Sequence, residues 1–239
     1  MNLRDLNKGE KHMAIWAISD FHLSFGVDKP MDIFGENWNG YEEKIRKNWM
    51  DNIKEDDTVL MAGDFSWGMY LDETIEDFKF LESLPGRKIM IKGNHDYWWE
   101  TLNKLNSFKR KNGFNSVEFL HNNFYVVEDV AVCGTRGWEF GAGEVTGELD
   151  KRVYDREKER LVRSLTLAKE AGYDKIIAMI HYNVGMNDEY VQILKQFGVE
   201  ICIFGHLHAK ADCLRYEKDG VKFICTSCDL ISFMPIKII

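Results

Sequence analysis

Short polar motifs directly follow apolar runs at five places in this sequence of 239 residues. They are Asp20-x-His22, Gly63-Asp64, Gly93-Asn94-His95-Asp96, His181 and Gly205-His206-x-His208. They offer imidazoles, carboxylates and an amide oxygen as ligand atoms, and no cysteine lies in any of them. Such a mixed nitrogen and oxygen set suits Mn, Fe, Zn, Co or Ni, whereas Ca or Mg would favour oxygen alone. The motifs therefore predict a transition-metal site.

The number of ligands indicates two ions rather than one. The side chains of Asp20, His22, Asp64, Asn94, His181, His206 and His208 are too many for one ordinary site and fit two ions that share a carboxylate. Two ions roughly 3.5–4 Å apart can clamp both oxygens of an in-line phosphoryl displacement. They also acidify a shared water, and the resulting hydroxide attacks phosphorus. Taken singly, each motif has another explanation, such as a turn or a buried histidine; their common position after apolar runs favours the metal.

Strands and helices alternate along the chain and place these motifs. Apolar runs predict strands at 14–18, 58–62, 88–91, 175–180 and 200–204, and periodic patterns predict helices at 41–55, 72–83, 98–109, 150–171 and 189–197. Two hairpins are predicted, 124–133 and 213–225, with an edge strand at 235–239 and a glycine-rich loop at 134–149. Because ligands of open α/β sheets bind beyond the carboxyl ends of strands, the motifs should converge. We expect one α/β domain over 1–239, with 1–12 as a possible extension.

The motifs D-x-H, G-D, G-N-H-D, H and G-H-x-H, in this order from Asp20 to His208, resemble the signature of the calcineurin-like metallophosphoesterases. The resemblance implies a four-layer αββα sandwich, in which two mixed β-sheets are flanked by helices. It also implies a dinuclear site at the strand ends. The expected cofactors are two divalent transition-metal ions, with Mn, Fe or Zn foremost.

The resemblance also implies a role for each motif residue. One metal would be held by Asp20, His22 and His208, and the other by Asn94, His181 and His206. Asp64 would bridge the two ions. His95 would face the substrate as general acid or transition-state stabiliser, and Asp96 would hydrogen-bond the ring of His95 and fix its tautomer. An imidazole titrates in the range needed to protonate a leaving alkoxide.

The expected function is hydrolysis of a phosphomonoester or phosphodiester by metal-bridging hydroxide. A serine/threonine phosphoprotein phosphatase, a nuclease and a non-catalytic metal-binding scaffold are the alternatives. The lipid-pyrophosphatase branch of the family typically has Arg where His95 stands, which weighs against that substrate. The 31 basic residues are outnumbered by 39 acidic ones, for a net charge of −8, which weighs against nucleic acid. A small phosphoester is therefore the expected partner.

Three segments are candidates for contact with the substrate. Residues 23–40 follow the first motif and contain Phe25, Phe34 and Trp38, which either line the site or pack the loop down. Of the aromatic residues in 97–99, at least one should be core. Arg136 lies between glycines after a predicted strand, where it would clamp a phosphate with its planar fork or pair with a nearby glutamate.

The sequence also predicts a cellular setting. The five cysteines are odd in number and mostly lie in apolar runs, which indicates reduced thiols rather than a disulfide framework. Cys225 and Cys228 in particular are expected to be buried thiols. No apolar run is long enough to span a membrane, and the polar start lacks a secretory signal. We expect a cytoplasmic protein without a membrane partner, and the oligomeric state stays open.

Overall fold

The computed structural model describes residues 13–138, 148–208 and 214–239, and all structural statements refer to these ranges. In chain order the strands are β1 (Ile15–Ala17), β2 (Thr58–Met61), β3 (Arg87–Met90), β4 (Val117–Phe119), β5 (Tyr125–Val127), β6 (Val130–Thr135), β7 (Lys175–Ile180), β8 (Val199–Phe204), β9 (Arg215–Lys218), β10 (Val221–Cys225) and β11 (Ile236–Lys237). The α-helices are α1 (Tyr41–Asn52), α2 (Ile75–Glu82), α3 (Leu102–Asn112), α4 (Glu148–Glu170) and α5 (Asp188–Gln196).

The strands form two mixed sheets. The first has the order β11-β1-β2-β3-β4, with β1 to β4 parallel and β11 antiparallel at the edge. The second has the order β5-β6-β7-β8-β10-β9, with the four central strands parallel and an antiparallel strand at each edge. Parallel neighbours bring the carboxyl ends of successive strands to the same edge of each sheet, so loops that are distant in sequence meet there.

Three apolar layers hold the sheets and helices together. Alternate side chains of a strand point to opposite faces, so Val59 packs toward the helices while Leu60 points at the other sheet. Leu60 and Ile89 of the first sheet belong to the same buried cluster as Met179 and Ile203 of the second. Helices α1 to α3 cover the outside of the first sheet, and α4 and α5 cover the outside of the second. The predicted four-layer sandwich of two mixed sheets flanked by helices is confirmed.

Most predicted elements form, with shifted boundaries. The helix predicted at 98–109 begins only at Leu102, because Trp98 and Trp99 are buried in the turn that follows the third motif. Strand β4 is an addition that the sequence analysis does not predict. Both hairpins form, and the second turns at Asp219-Gly220 with positive φ at both residues. Part of the predicted loop 134–149 lies outside the described residues, as do residues 1–12; the single domain stays a prediction.

The helices within the described ranges were compared with what a bilayer requires. None of them combines the length and the apolar character needed to cross a membrane.

Candidate metal centre

The five motifs follow five parallel strands, at the carboxyl edge shared by both sheets. Backbone hydrogen bonds join their loops: the N–H of Asp20 donates to the carbonyl of Gly63, and the N–H of Gly205 donates to the carbonyl of His181. The Asp20 carboxylate joins the two sheets, because its Oδ1 accepts the N–H of His206 at 2.8 Å. The tertiary fold therefore brings all five motifs into one region.

Asp20, His22 and His208 form a first ligand cluster. Their potential ligand atoms lie within 4.8 Å of one another. The Nε2 atoms of His22 and His208 are 3.4 Å apart, and His208 Nε2 is 4.0 Å from Asp20 Oδ1. Asp20 and His22 are buried, while the side chain of His208 is partly exposed. Two imidazole nitrogens and a carboxylate oxygen that face one point are a suitable donor set for a transition metal.

Asp64, His181 and His206 form a second cluster, which Asn94 completes. The Asn94 Oδ1 lies 2.6 Å from His181 Nε2 and 2.8 Å from His206 Nδ1. The other ring nitrogen of His181, Nδ1, is 2.8 Å from the carbonyl of Ala62. A proton on Nδ1 that donates to this carbonyl leaves the lone pair of Nε2 directed at the cluster, which is the usual arrangement for a metal-ligating histidine.

The Asp64 carboxylate belongs to the second cluster and also approaches the first. Its Oδ2 is 3.8 Å from His22 Nε2 in the first cluster and 3.5 Å from His181 Nε2 in the second. This oxygen is buried and accepts no hydrogen bond from the described residues, whereas Oδ1 accepts the N–H of His95 at 2.8 Å. A buried carboxylate oxygen without a partner is costly unless a cation compensates it. The residues present therefore fit a pair of metal ions that share Asp64.

The backbone at these motifs is strained. Asp20, His22, Asp64 and His206 all have positive φ, between 49° and 68°, although none of them is glycine. Residues held in this region cost free energy and cluster at functional sites. The adjoining glycines allow close approach: a Cβ at Gly93 would lie 2.1 Å from Asp64 Oδ1. The local conformation is thus set by the convergence of ligands rather than by intrinsic preference.

In the absence of bound metal, burial shifts the pKa values of the candidate ligand side chains. Burial raises the pKa of Asp64 well above its usual value, and the charges of Asp20 and Asp96 raise it further. Burial also raises the pKa of Asp20 to about 6, and it lowers the pKa of His22 and of His181 well below the usual range. Neutral imidazoles are ready to ligate, and bound cations would favour the charged carboxylates.

Asp96 does not orient the ring of His95, contrary to the expectation from sequence. Its buried carboxylate accepts the N–H groups of Asp64 at 2.9 Å, Phe65 at 2.9 Å and Gly93 at 2.7 Å. It also accepts the indole N–H of Trp98 at 3.0 Å. These donors occupy both oxygens, so Asp96 fixes the backbone of the second and third motifs instead of a side chain in the cleft.

Several contacts to the ligands were not predicted. The His208 Nδ1 lies 2.9 Å from Asp229 Oδ1, and the hydroxyl of Ser227 donates to Asp20 Oδ2 at 3.1 Å. Both residues follow β10 at the same sheet edge, so their position after a strand is the signal that could have indicated them. Cys225 and Cys228 are indeed buried and free. The Trp67 indole stacks on His22 with ring centroids 4.8 Å apart.

An apolar cleft opens beside the first cluster. It has a volume of about 510 Å³, and its walls include Met31, Phe34, Trp38 and Trp67 together with His95. The 23–40 loop therefore does line the site. Phe34 is 63% exposed, whereas Trp38 is buried near the rings of His22 and His208. Of the three aromatic residues after Asp96, Trp98 and Trp99 are core, and Tyr97 is exposed with its ring 6.3 Å from that of His95.

Arg136 lies in a different cavity from the apolar cleft. This second cavity has a volume of about 360 Å³ and is lined by residues of β6 and α4, by Lys92 after β3, and by residues of the segments 99–101 and 120–122. The Arg136 Nη2 is 3.8 Å from Glu157 Oε1, and the guanidinium lies 4.9 Å from the centre of the Trp138 ring. Arg136 is therefore close to a glutamate, as one of the two sequence interpretations expects, but it faces a cavity rather than the surface.

The site and the fold together define the class of protein: an αββα sandwich with two neighbouring clusters of candidate metal ligands at its strand ends. The family model described as calcineurin-like phosphoesterase matches residues 13–210. This chain belongs to that family.

Individual relatives are distant. The Gene 66 protein of Mycobacterium phage L5 is 32% identical over 83 residues, which is 34% of this chain. That match spans only 39% of the phage protein.

Solved structures match over nearly the whole chain. Phosphopantetheinyl hydrolase from Mycobacterium tuberculosis has a TM-score of 0.56 at 13% identity, with 95% of this chain and 96% of that chain covered. Protein TT1561 of Thermus thermophilus has a TM-score of 0.57 at 15% identity, with 95% and 98% covered. A protein of unknown function from Aquifex aeolicus has a TM-score of 0.50 at 19% identity, with 95% and 96% covered. At these identities the likeness shows the fold alone.

Proposed function

We propose that this protein is a dinuclear metal-dependent phosphoesterase that hydrolyses a small phosphomonoester or phosphodiester. The observation that carries the proposal is the unpartnered Asp64 Oδ2, buried between two ligand clusters at 3.8 and 3.5 Å from a histidine of each. Family membership supports the same chemistry. The cytoplasmic location stays a prediction.

The ligand assignment follows the two clusters. Asp20, His22 and His208 would hold one ion, and Asn94, His181 and His206 would hold the other, with Asp64 shared between them. When bound, the two ions supply an acidified water as nucleophile and neutralise charge on the phosphoryl oxygens. The donor set favours Mn, Fe or Zn.

His95 would act on the leaving group. Its ring lines the apolar cleft, 5.6 Å from the ring of His22 and 4.7 Å from that of Trp67, measured between centroids. Burial, and then the charges of His206, His208 and Lys29, lower the pKa of His95 below its usual value. An imidazole in this position would either stabilise the leaving oxygen by donating an N–H or protonate it as a general acid. Asp96 supports this role only through the backbone.

The apolar cleft would receive the leaving group. Its walls are mainly aromatic and aliphatic, and at about 510 Å³ it has the size of a small-molecule site. An ester whose leaving group has an aromatic or apolar body would bury that body against Phe34, Trp38 and Trp67 while the phosphoryl group lies at the ligand clusters. The cleft supports a small substrate.

A metal-restoration assay tests the proposal. The protein is stripped with chelator, Mn²⁺ is restored, and hydrolysis of bis(p-nitrophenyl) phosphate and of p-nitrophenyl phosphate is compared. We expect activity on one or both esters that depends on Mn²⁺, with two ions bound per chain. His95→Ala should retain both ions and lose about 100-fold or more in kcat. Full metal occupancy without hydrolysis of either ester would contradict the proposed function, and an unchanged kcat in His95→Ala would remove His95 from it.

A further inference from the structure

The second cavity, which we call the basic cavity, is formed by Lys92, Thr135, Arg136, Arg156, Glu157 and Arg160 with their neighbours. Two residues of its wall are connected through the backbone to the candidate metal ligands. Lys92 precedes Gly93-Asn94, and the carbonyl of Arg136 accepts the N–H of Tyr182, the residue after His181. No candidate metal ligand contributes to its wall, so within the described chain it is a separate site.

Among the described residues that line the basic cavity, positive charge exceeds negative charge. Its four cations meet one buried carboxylate, that of Glu157, which is only 1% exposed. Glu157 is engaged by the hydroxyl of Thr135 at 2.6 Å and by Arg160 Nη1 at 2.7 Å. Arg136 and Arg156 approach the same carboxylate only to 3.8 and 3.7 Å, too far for hydrogen bonds. The other acidic residue of the wall, Glu100, pairs with Lys104.

Two donors of the basic cavity have no hydrogen-bond partner among the residues that the structure describes. Arg136 Nε is buried and donates to no atom of the described residues. The ammonium group of Lys92, on a half-buried side chain, likewise has neither a hydrogen bond nor an ion pair within those ranges. Unpaired buried donors are costly, and ionised ones more so. The arrangement is accounted for if an anion with several acceptor oxygens occupies the cavity.

We propose that the basic cavity is a phosphate-binding site, distinct from the metal centre. A phosphate group carries the charge and the acceptor oxygens that match a planar guanidinium and a lysine ammonium group. The group is either free phosphate or a second phosphoryl group of the substrate. Binding of phosphate to the cavity is independent of the proposed function, whereas its assignment to the substrate rests on that function.

Binding of inorganic phosphate to the metal-free protein tests the site. The titration is made by calorimetry in EDTA, which keeps metal ions out of the metal centre. We expect the wild type to bind one phosphate, and Lys92→Gln and Arg136→Gln each to weaken the affinity at least tenfold. Arg152→Gln is the matched control: Arg152 is an arginine of α4 that pairs with Glu148 outside the cavity, and its replacement should leave the affinity unchanged. Circular dichroism verifies that each variant is folded.

Two results of the phosphate titration would contradict the proposed site. Absence of phosphate binding in the wild type would overturn the proposal, as would equal affinity in the wild type and both cavity variants.

Competition in the Mn²⁺-loaded enzyme distinguishes the two sources of phosphate. Adenosine 3′,5′-bisphosphate and AMP are compared as inhibitors of bis(p-nitrophenyl) phosphate hydrolysis. Inhibition by the bisphosphate that is at least tenfold tighter, and loss of that preference in Arg136→Gln, would assign the cavity to a second phosphoryl group of the substrate. Equal inhibition together with phosphate binding in EDTA would assign it to free phosphate.

Discussion

The carboxylate of Asp96 accepts the backbone N–H of Asp64 at 2.9 Å, so a residue of the third motif holds the residue that lies between the two ligand clusters. The same Oδ2 accepts the N–H of Gly93 at 2.7 Å, and Oδ1 accepts the N–H of Phe65 and the indole of Trp98. Asp64 is thereby fixed at positive φ, and its own Oδ2 accepts no hydrogen bond from the described part of the chain. The hydrogen bonds that satisfy the buried Asp96 carboxylate are therefore also the ones that hold the strained backbone at Asp64.

Asp96→Asn tests this relationship. An amide presents one oxygen and one NH₂ group, so at least two buried N–H groups lose their acceptor. We expect the free energy of unfolding to fall by about 2–4 kcal/mol and the bound Mn²⁺ to fall below two ions per chain. Asp155→Asn, an exposed carboxylate of α4, is the control and should change neither quantity. Wild-type stability together with full metal content in Asp96→Asn would contradict the interpretation.

Asp229→Ala tests the contact behind His208. The Asp229 carboxylate lies 2.9 Å from His208 Nδ1 and orients the ring so that Nε2 faces the first cluster. Loss of such a partner typically weakens metal affinity about 10- to 100-fold. Titration calorimetry with Mn²⁺ should therefore show one weakened site and one unchanged site. Asp188→Ala, at the start of α5, is the control, and two unchanged sites in Asp229→Ala would exclude this role.

Phe34→Ala tests the apolar cleft. Phe34 lines the cleft and is 63% exposed, so its replacement should alter binding without unfolding the protein. An aromatic contact contributes about 0.5–1.5 kcal/mol, which corresponds to a rise in KM of about 2- to 13-fold for bis(p-nitrophenyl) phosphate. We expect kcat to change less than twofold. The neighbouring Ile33, which is exposed and outside the cleft, provides the control Ile33→Ala; an equal KM in both variants would remove Phe34 from the site.

Lys88 predicts a pH dependence of stability remote from the metal centre. Its side chain is buried on β3 and donates to the carbonyl of Leu84 and to the hydroxyl of Ser116. Burial lowers the pKa of Lys88 to about 8 from 10.5. Between these values the folded protein binds fewer protons than the unfolded chain, so stability rises with pH; below about pH 8 the full cost of the buried charge is present.

Comparison with Lys88→Met measures this effect. The free energy of unfolding of the wild type minus that of Lys88→Met should rise from pH 8 to pH 10, with a slope approaching about 1.4 kcal/mol per pH unit. The protein is kept in EDTA, so that metal binding does not contribute. Lys47→Met, on the exposed face of α1, is the control for removing one lysine. A flat difference for Lys88→Met across this range would refute the assignment.

Sequence reasoning was most successful where the signal is local. The strand before each motif is a short apolar run, and the turn at Asp219-Gly220 depends on two residues that tolerate positive φ. Strand β4 was not predicted, and it forms by pairing with β3, whose residues are distant from it in the sequence. The late start of α3 has the same cause, since burial of Trp98 and Trp99 overrides a helical pattern.

The candidate site shows the same contrast between local features, which the sequence reveals, and long-range contacts, which it does not. The candidate donor atoms could be named from the sequence, because the chemistry of a histidine or aspartate side chain does not depend on the fold. The hydrogen-bond partners of a side chain could not be predicted in the same way. Asp96 was expected to bond the ring of its neighbour His95, but its carboxylate accepts backbone N–H groups of two motifs instead. Asp229 lies at a strand end like the motif residues, but only the fold pairs it with His208, which is 21 positions away in the sequence.

The order of the five motifs, their donor chemistry and the alternation of strands and helices were determined by the sequence alone. The tertiary structure decided which atoms meet: Asp64 Oδ2 between two clusters, and Arg136 with Lys92 in a separate basic cavity. The physical reason is that the sequence gives each residue type directly, and that strands and helices are indicated by patterns among neighbouring residues. Convergence at a site instead depends on strand order and on the packing of two sheets, which are set by contacts between distant residues.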